Sequence, residues 1–133
     1  MQEIIKASKL LRDVTTLGIG GIAALYLDVF DVPSMQDAIR YAQKNKIPYV
    51  VIGKGSNVFF DTRGFKGLVI CNKLQFCQEL SPGEFYAGAG YSFSLLGTMT
   101  AKNGFSGLEF AAGIPASVGG AVFMNAGAQS MDT

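Results

Sequence analysis

The sequence predicts an α+β fold in two lobes, on three observations. Residues 23–52 carry a strand–helix–strand pattern, and a glycine turn follows its second strand. A polar, turn-rich stretch over residues 72–83 then separates a first lobe, residues 1–72, from the start of a second, residues 73–133.

The chain has 133 residues, 49% hydrophobic and 16% charged, which is apolar enough for a core and argues against disorder. A net charge of +1 leaves no basic footprint for nucleic acid. The start, MQEIIKASKLLRDV, scatters charges where a signal peptide needs an apolar run. Phe110 to Met131 is uncharged, but Pro115 and several glycines interrupt it, so no membrane span is expected and the location expected is cytoplasmic. Cys71 and Cys77 read as free thiols. Histidine is absent, which excludes Ser–His and Cys–His nucleophiles and any His-based metal site, and no metal site is expected. Chemistry by this protein therefore requires a cofactor or residues outside this sequence.

The elements follow in order. In AALYLDVF, Leu25, Leu27 and Val29 alternate with Tyr26 and Asp28, a strand signal. Val32-Pro33 breaks it, and Ser34 with Asp37 makes a capping-box-like helix start. Met35, Ala38, Ile39 and Ala42 form one helix face, Lys44 to Lys46 suit its end, and Pro48 stops it. Tyr49 to Ile52 reads as a short buried strand, and Gly67 to Cys71 as another. After Ser81-Pro82-Gly83, Glu84 to Gly90 reads as a strand of small residues. Ser92 then caps a helix carrying Leu95, Leu96 and Met99, which Asn103-Gly104 ends.

The glycine turn lies in VIGKGSNVFF, residues 51–60. Gly55 follows Lys54 where a Walker A loop needs Ser or Thr, and Val58 stands where a Rossmann fingerprint needs a glycine. Two readings remain: a plain tight turn between strands, or a nest of successive N–H groups that takes an anion. Its place at the carboxyl end of a strand favours the second. The later segment GLEFAAGIPASVGGAVFMNAGA, residues 107–128, is built of small residues. Either backbone packs on backbone there, or a large ligand occupies the space and takes up the backbone N–H groups, and the length of the run favours the ligand.

TTLGIGG (residues 15–21), VIGKGSNVFF and GLEFAAGIPASVGGAVFMNAGA, in this order and spacing, resemble the amino-terminal part of bacterial UDP-N-acetylenolpyruvoylglucosamine reductases. The resemblance covers nearly the whole chain. It implies the FAD-binding fold of the p-cresol methylhydroxylase and vanillyl-alcohol oxidase type, two α+β lobes clasping FAD. It implies an enzyme of peptidoglycan precursor synthesis that uses NADPH and FAD to reduce the enolpyruvyl ether of a UDP-sugar. Carried over by position, Gly53, Gly55, Ser56 and Asn57 would cradle the FAD pyrophosphate. Lys54 and Val58 count with them, Lys54 as electrostatic help. Gly113, Ile114, Pro115, Ser117, Gly119 and Gly120 would line the cofactor's other side, and Asn125 and Gly127 would lie near the flavin. No catalytic residue is assigned, because the family's arginine, serine and glutamate, and its substrate domain, lie beyond Thr133. The second lobe is thus expected to be incomplete, the fold truncated and the chain inactive alone, with weak or absent FAD binding and self-association through exposed core surface. Gln129 departs from the Tyr or Asn usual after Asn-Ala-Gly-Ala in the family. A different FAD-linked oxidase and a non-catalytic nucleotide-binding module stay open as alternatives.

Overall fold

The structure is a computed structural model, and it describes residues 5–133, so the first residues of the expected first lobe lie outside it. It divides into two compact units, Met1–Lys73 and Leu74–Thr133.

The first unit is built on one sheet. Its strands are Lys6–Leu10 (β1), Ile22–Val29 (β2), Tyr49–Ile52 (β3) and Phe65–Asn72 (β4), in the order β1-β2-β4-β3. β1 runs antiparallel to β2, whereas β2, β4 and β3 are mutually parallel. β4 lies between β2 and β3, and its Leu68, Val69 and Ile70 are fully buried, as a central strand covered on both faces requires. Helix α1 (Val32–Lys44) packs on β2 and β4 and buries Ala38 and Ala42, with Met35 and Ile39 half-buried beside them. Another core cluster joins Leu11, from a 3₁₀ turn at Leu11–Val14, to Tyr26, Ile52, Phe60, Val69 and Cys71. Since Val69 and Cys71 alternate with Leu68 and Ile70 along β4, the two sets lie on opposite faces of the sheet.

Several expectations for this unit change. Residues 23–52 are strand, helix, strand as expected, but β2 and β3 do not pair, because β4 inserts between them. β3 is not a buried strand: it is the sheet's edge, and Tyr49 and Val51 are exposed. The cap of α1 is Asp31, not Ser34. Asp31 accepts the Ser34 N–H at 2.7 Å, which fits the ability of a short carboxylate to satisfy an orphan donor. β2 is not one-faced, because Tyr26 and Leu27 are both buried.

The second unit pairs Cys77–Ser81 (β5) with Glu84–Ala87 (β6) across a turn in which Gly83 has φ +83°. The polar stretch read as loop thus contains a strand, and β6 stops at Ala87, short of Gly90. Helix α2 (Phe93–Lys102) begins and ends as expected: the Ser92 hydroxyl accepts the Leu95 N–H at 3.2 Å, and Asn103 caps the other end. A 3₁₀ segment at Glu109–Gly113 packs on α2 at Gly97, where an added Cβ would lie 2.6 Å from the Leu108 carbonyl oxygen. Helix α3 (Val118–Met124) and the short strands Gly127–Ala128 (β7) and Met131–Asp132 (β8) follow. The core here is Phe93, Phe110, Ala111 and Ala121, with the two rings edge to face at 6.0 Å.

Candidate functional site

The turn after β3 is fixed from below by the segment that follows β1. Gly55 has φ +71°, and a Cβ there would collide with the Val14 carbonyl oxygen and lie 2.8 Å from the Thr15 Cα. The Gly55 carbonyl accepts the Thr16 N–H at 2.9 Å. Its close approach is thus to protein backbone, which accounts for glycine at this position without any ligand. The TTLGIGG motif is anchored in the same way: Gly21 lies against Thr62 and Gly64, and its N–H donates to Asp61 at 3.0 Å.

The upper side of the turn differs. Among the described residues, no group accepts from the backbone N–H of Lys54, Gly55, Ser56 or Asn57. Lys54 and Asn57 are exposed, Ser56 is half-buried, and the Val58 side chain packs against the core. Consecutive amides free of internal acceptors, beside a lysine, are the donor set that a pyrophosphate takes.

Next to the turn, wholly inside the first unit, is a cavity of about 300 Å³. Asp13, Val14, Thr15 and Thr16 line one side, Gly53 and Lys54 another, and Tyr26, Cys71 and Lys73 come from β2 and the end of β4. The Tyr26 hydroxyl donates to Asp28 Oδ1 at 2.9 Å, and burial pushes the phenol's pKa well above its ordinary value, so it stays neutral. The Cys71 thiol contacts the Gly53 carbonyl at 3.7 Å. Burial pushes its pKa up, with the hydrogen bond to Tyr26, and after it Lys73, opposing that shift.

The candidate residues of the second unit are placed otherwise. The Ser117 side chain is buried and accepts the Gly120 N–H at 3.2 Å, so it caps α3 rather than facing outward as a free donor. The N–H groups of Ile114, Ala116, Val118, Gly119 and Ala121 all donate to backbone carbonyls of the same unit. The segment therefore does not depend on a ligand to satisfy these amides, contrary to the sequence-based argument. Gly119 packs backbone on backbone, with an added Cβ 2.9 Å from that of Ala89. Ile114 joins the core beside Phe93 and Phe110. Gly113, Pro115 and Gly120 are exposed, and a Cβ on Gly113 would meet nothing within 4 Å. Asn125 takes the left-handed conformation at the end of α3, its amide 3.4 Å from Asp132, and Gly127 sits in β7 against Met131. Sequence reasoning missed Thr15, Thr16, Tyr26, Cys71 and Lys73, which are far apart in the chain and meet only through the strand order of the sheet.

The profile of the FAD binding domain family matches residues 23–133. The chain belongs to that family. It is similar to the UDP-N-acetylenolpyruvoylglucosamine reductase of Protochlamydia amoebophila, at 53% identity over 93% of this chain and 42% of that protein. Among solved structures it resembles the reductase of that name from Thermus caldophilus, with a TM-score of 0.76 and 38% identity over 96% of this chain and 44% of that one. p-Cresol methylhydroxylase with substrate bound has a TM-score of 0.56 at 17% identity over 95% of this chain and 27% of that one, a likeness of fold alone. The fold is thus the FAD-binding type expected from the sequence. The chain spans less than half the length of the reductases it matches. Among the described residues there is no cluster that would hold a metal ion, and no helix is long and apolar enough to cross a membrane.

Proposed function

We propose that this chain is the FAD-binding part of a UDP-N-acetylenolpyruvoylglucosamine reductase, a cytoplasmic enzyme using NADPH and a UDP-sugar in peptidoglycan precursor synthesis. The observation that supports it most is the turn at residues 54–57, whose amides have no acceptor among the described residues and whose underside is locked in place. In this reading Gly53 to Val58 hold the pyrophosphate. Residues 1–72 form one cofactor lobe and residues 73–133 the beginning of the next. Gly113, Pro115 and Gly120 border the cofactor as open surface, and Ile114, Ser117 and Gly119 support that surface from within. Asn125 and Gly127 flank the flavin end. Bound FAD supplies hydride transfer; the chain's own residues bind and orient it.

The reduction also needs a positioned proton donor and a partner for the enolate, and no residue of this chain is assigned either role. The chain alone is therefore expected to lack reductase activity, and the exposed Val122, Phe123 and Met124 favour its self-association. The test combines an NADPH-oxidation assay on UDP-N-acetylglucosamine enolpyruvate with an amide-resolved NMR titration by FAD. No turnover, with weak FAD binding at most and any shifts centred on residues 54–57, is the expected result. Substrate-dependent turnover by this chain would refute the inactivity, and FAD shifts that avoid the turn would refute the cradle.

A further inference from the structure

Two carbonyls of the turn after β3 are held from within the protein. A trans peptide points its C=O and the following N–H in opposite directions, so whatever holds the carbonyl also aims the amide. The Gly55 carbonyl accepts the Thr16 N–H at 2.9 Å, which turns the Ser56 N–H away from Thr16. The Gly53 carbonyl has a different partner: the Cys71 thiol donates to it at 3.7 Å, which turns the Lys54 N–H away from the sulfur. Among the described residues neither amide has an acceptor. The sheet places the thiol for this contact. Cys71 pairs with Ile52, the last residue of β3, just where the chain bends into the turn. Its side chain is buried in one cluster with Leu11 and Tyr26, and Val14, whose carbonyl meets Gly55, packs on the same cluster. Tyr26 is hydrogen-bonded to the thiol and to Asp28, which fixes the wall beside the sulfur. Burial keeps that sulfur protonated, and only the protonated form can donate. The Thr16 contact is backbone to backbone, so many residues could supply it, whereas the Gly53 contact depends on one side chain.

We infer that Cys71 is a positioning residue for the cofactor: through the Gly53 carbonyl, its thiol hydrogen aims the Lys54 amide out of the turn. The inference rests on the cradle reading above, and it adds that cofactor affinity depends on a hydrogen-bond donor buried in the core of the first unit. An amide already held in its bound direction spares the ligand the cost of ordering it.

The experiment places Cys71→Ser, Cys71→Ala and Cys71→Val in the full-length reductase. Serine keeps a donor and loses volume, valine keeps volume and loses the donor, and alanine loses both. FAD affinity is measured for each, together with the Gly53 carbonyl-carbon and Lys54 amide-nitrogen resonances. Cys71→Ala and Cys71→Val should weaken FAD by about threefold to tenfold, the scale of one neutral hydrogen bond, and Cys71→Ser should stay within about twofold of the parent. The Gly53 and Lys54 resonances should move in the alanine and valine variants while that of Ser56, aimed by Thr16, stays in place. A purely structural role predicts the opposite order, with valine close to the parent and serine and alanine alike. That order overturns the inference, as do three variants that all bind FAD like the parent or that all weaken it equally. The parent separates the two readings. If its amides at residues 54–57 respond to FAD and the order of the variants fails, the cradle stands and this inference falls. If those amides ignore bound FAD, the cradle reading falls and takes the inference with it.

Discussion

The turn after β3 and the segment over residues 113–127 are both rich in small residues, yet they use their backbone differently. In the turn, Gly55 is pinned underneath by Val14 and Thr15 while the amides of residues 54–57 find no acceptor among the described residues. In the second segment the amides from Ile114 to Ala121 mostly close on carbonyls or on the Ser117 hydroxyl of the same unit. Small residues therefore have two uses that composition does not separate. One lets backbone approach backbone, as at Gly119, and the other leaves donors open to a ligand.

The sharpest way to break this contrast is Gly55→Val. The branched Cβ has nowhere to go against Val14, and φ +71° is strained for any β-branched residue, so a loss of about 3 kcal/mol or more and a collapse of the thermal transition are expected. A variant that melts like the parent would show that the turn is not pinned. Gly119→Val comes next. Overpacking against Ala89 should cost about 1–3 kcal/mol, read by urea denaturation, and a neutral result would reopen the ligand explanation for that glycine. Ser117→Ala removes the α3 cap and should lower stability by about 1 kcal/mol. Gly113→Ala should change stability by less than about 0.5 kcal/mol, because its Cβ meets open space, but it should weaken FAD retention in the full-length reductase if cofactor passes there.

The least perturbing comparison uses the thiols, one per unit. Burial raises the pKa of both Cys71 and Cys77, so the reactive thiolate is scarce in each until the pH passes above the ordinary thiol range. Alkylation should therefore accelerate with rising pH, and Cys77, only half-buried, should label before Cys71. Mass spectrometry of partially labelled protein checks the order. The same sign governs stability. A folded-state pKa above the unfolded one means the thiols' contribution is complete below the unfolded thiol pKa and declines as pH rises through the folded one.

Much of the fold was legible where local signals act alone. Ser92 and Asn103-Gly104 mark α2 to the residue, and the apolar period from Met35 to Ala42 marks the buried face of α1. The rest depends on tertiary placement. Tyr49 to Ile52 is apolar enough for an interior strand, yet the strand order leaves it at the edge. Helix α3 was hidden by its glycines, although the Ser117 cap was a usable local signal. Of the candidate site, the turn was visible as a motif. The cavity was not, because Thr16 and Lys73 become neighbours of Lys54 only after β4 has paired with both β2 and β3.

The insertion of β4 between β2 and β3 also sets an order of events on the ribosome. When the chain has emerged only as far as Phe60, the turn at residues 53–57 is already made, but its parent strand has no hydrogen-bonded neighbour, because β3 pairs with β4 alone. The strand that unites the sheet is the last of the four to be synthesised, so the first unit closes late for its size, through contacts distant in sequence. Until residues 65–72 arrive, the apolar faces of Leu27, Val29 and Ile52 stand uncovered in the nascent chain, and this is the interval in which a chaperone has most to protect.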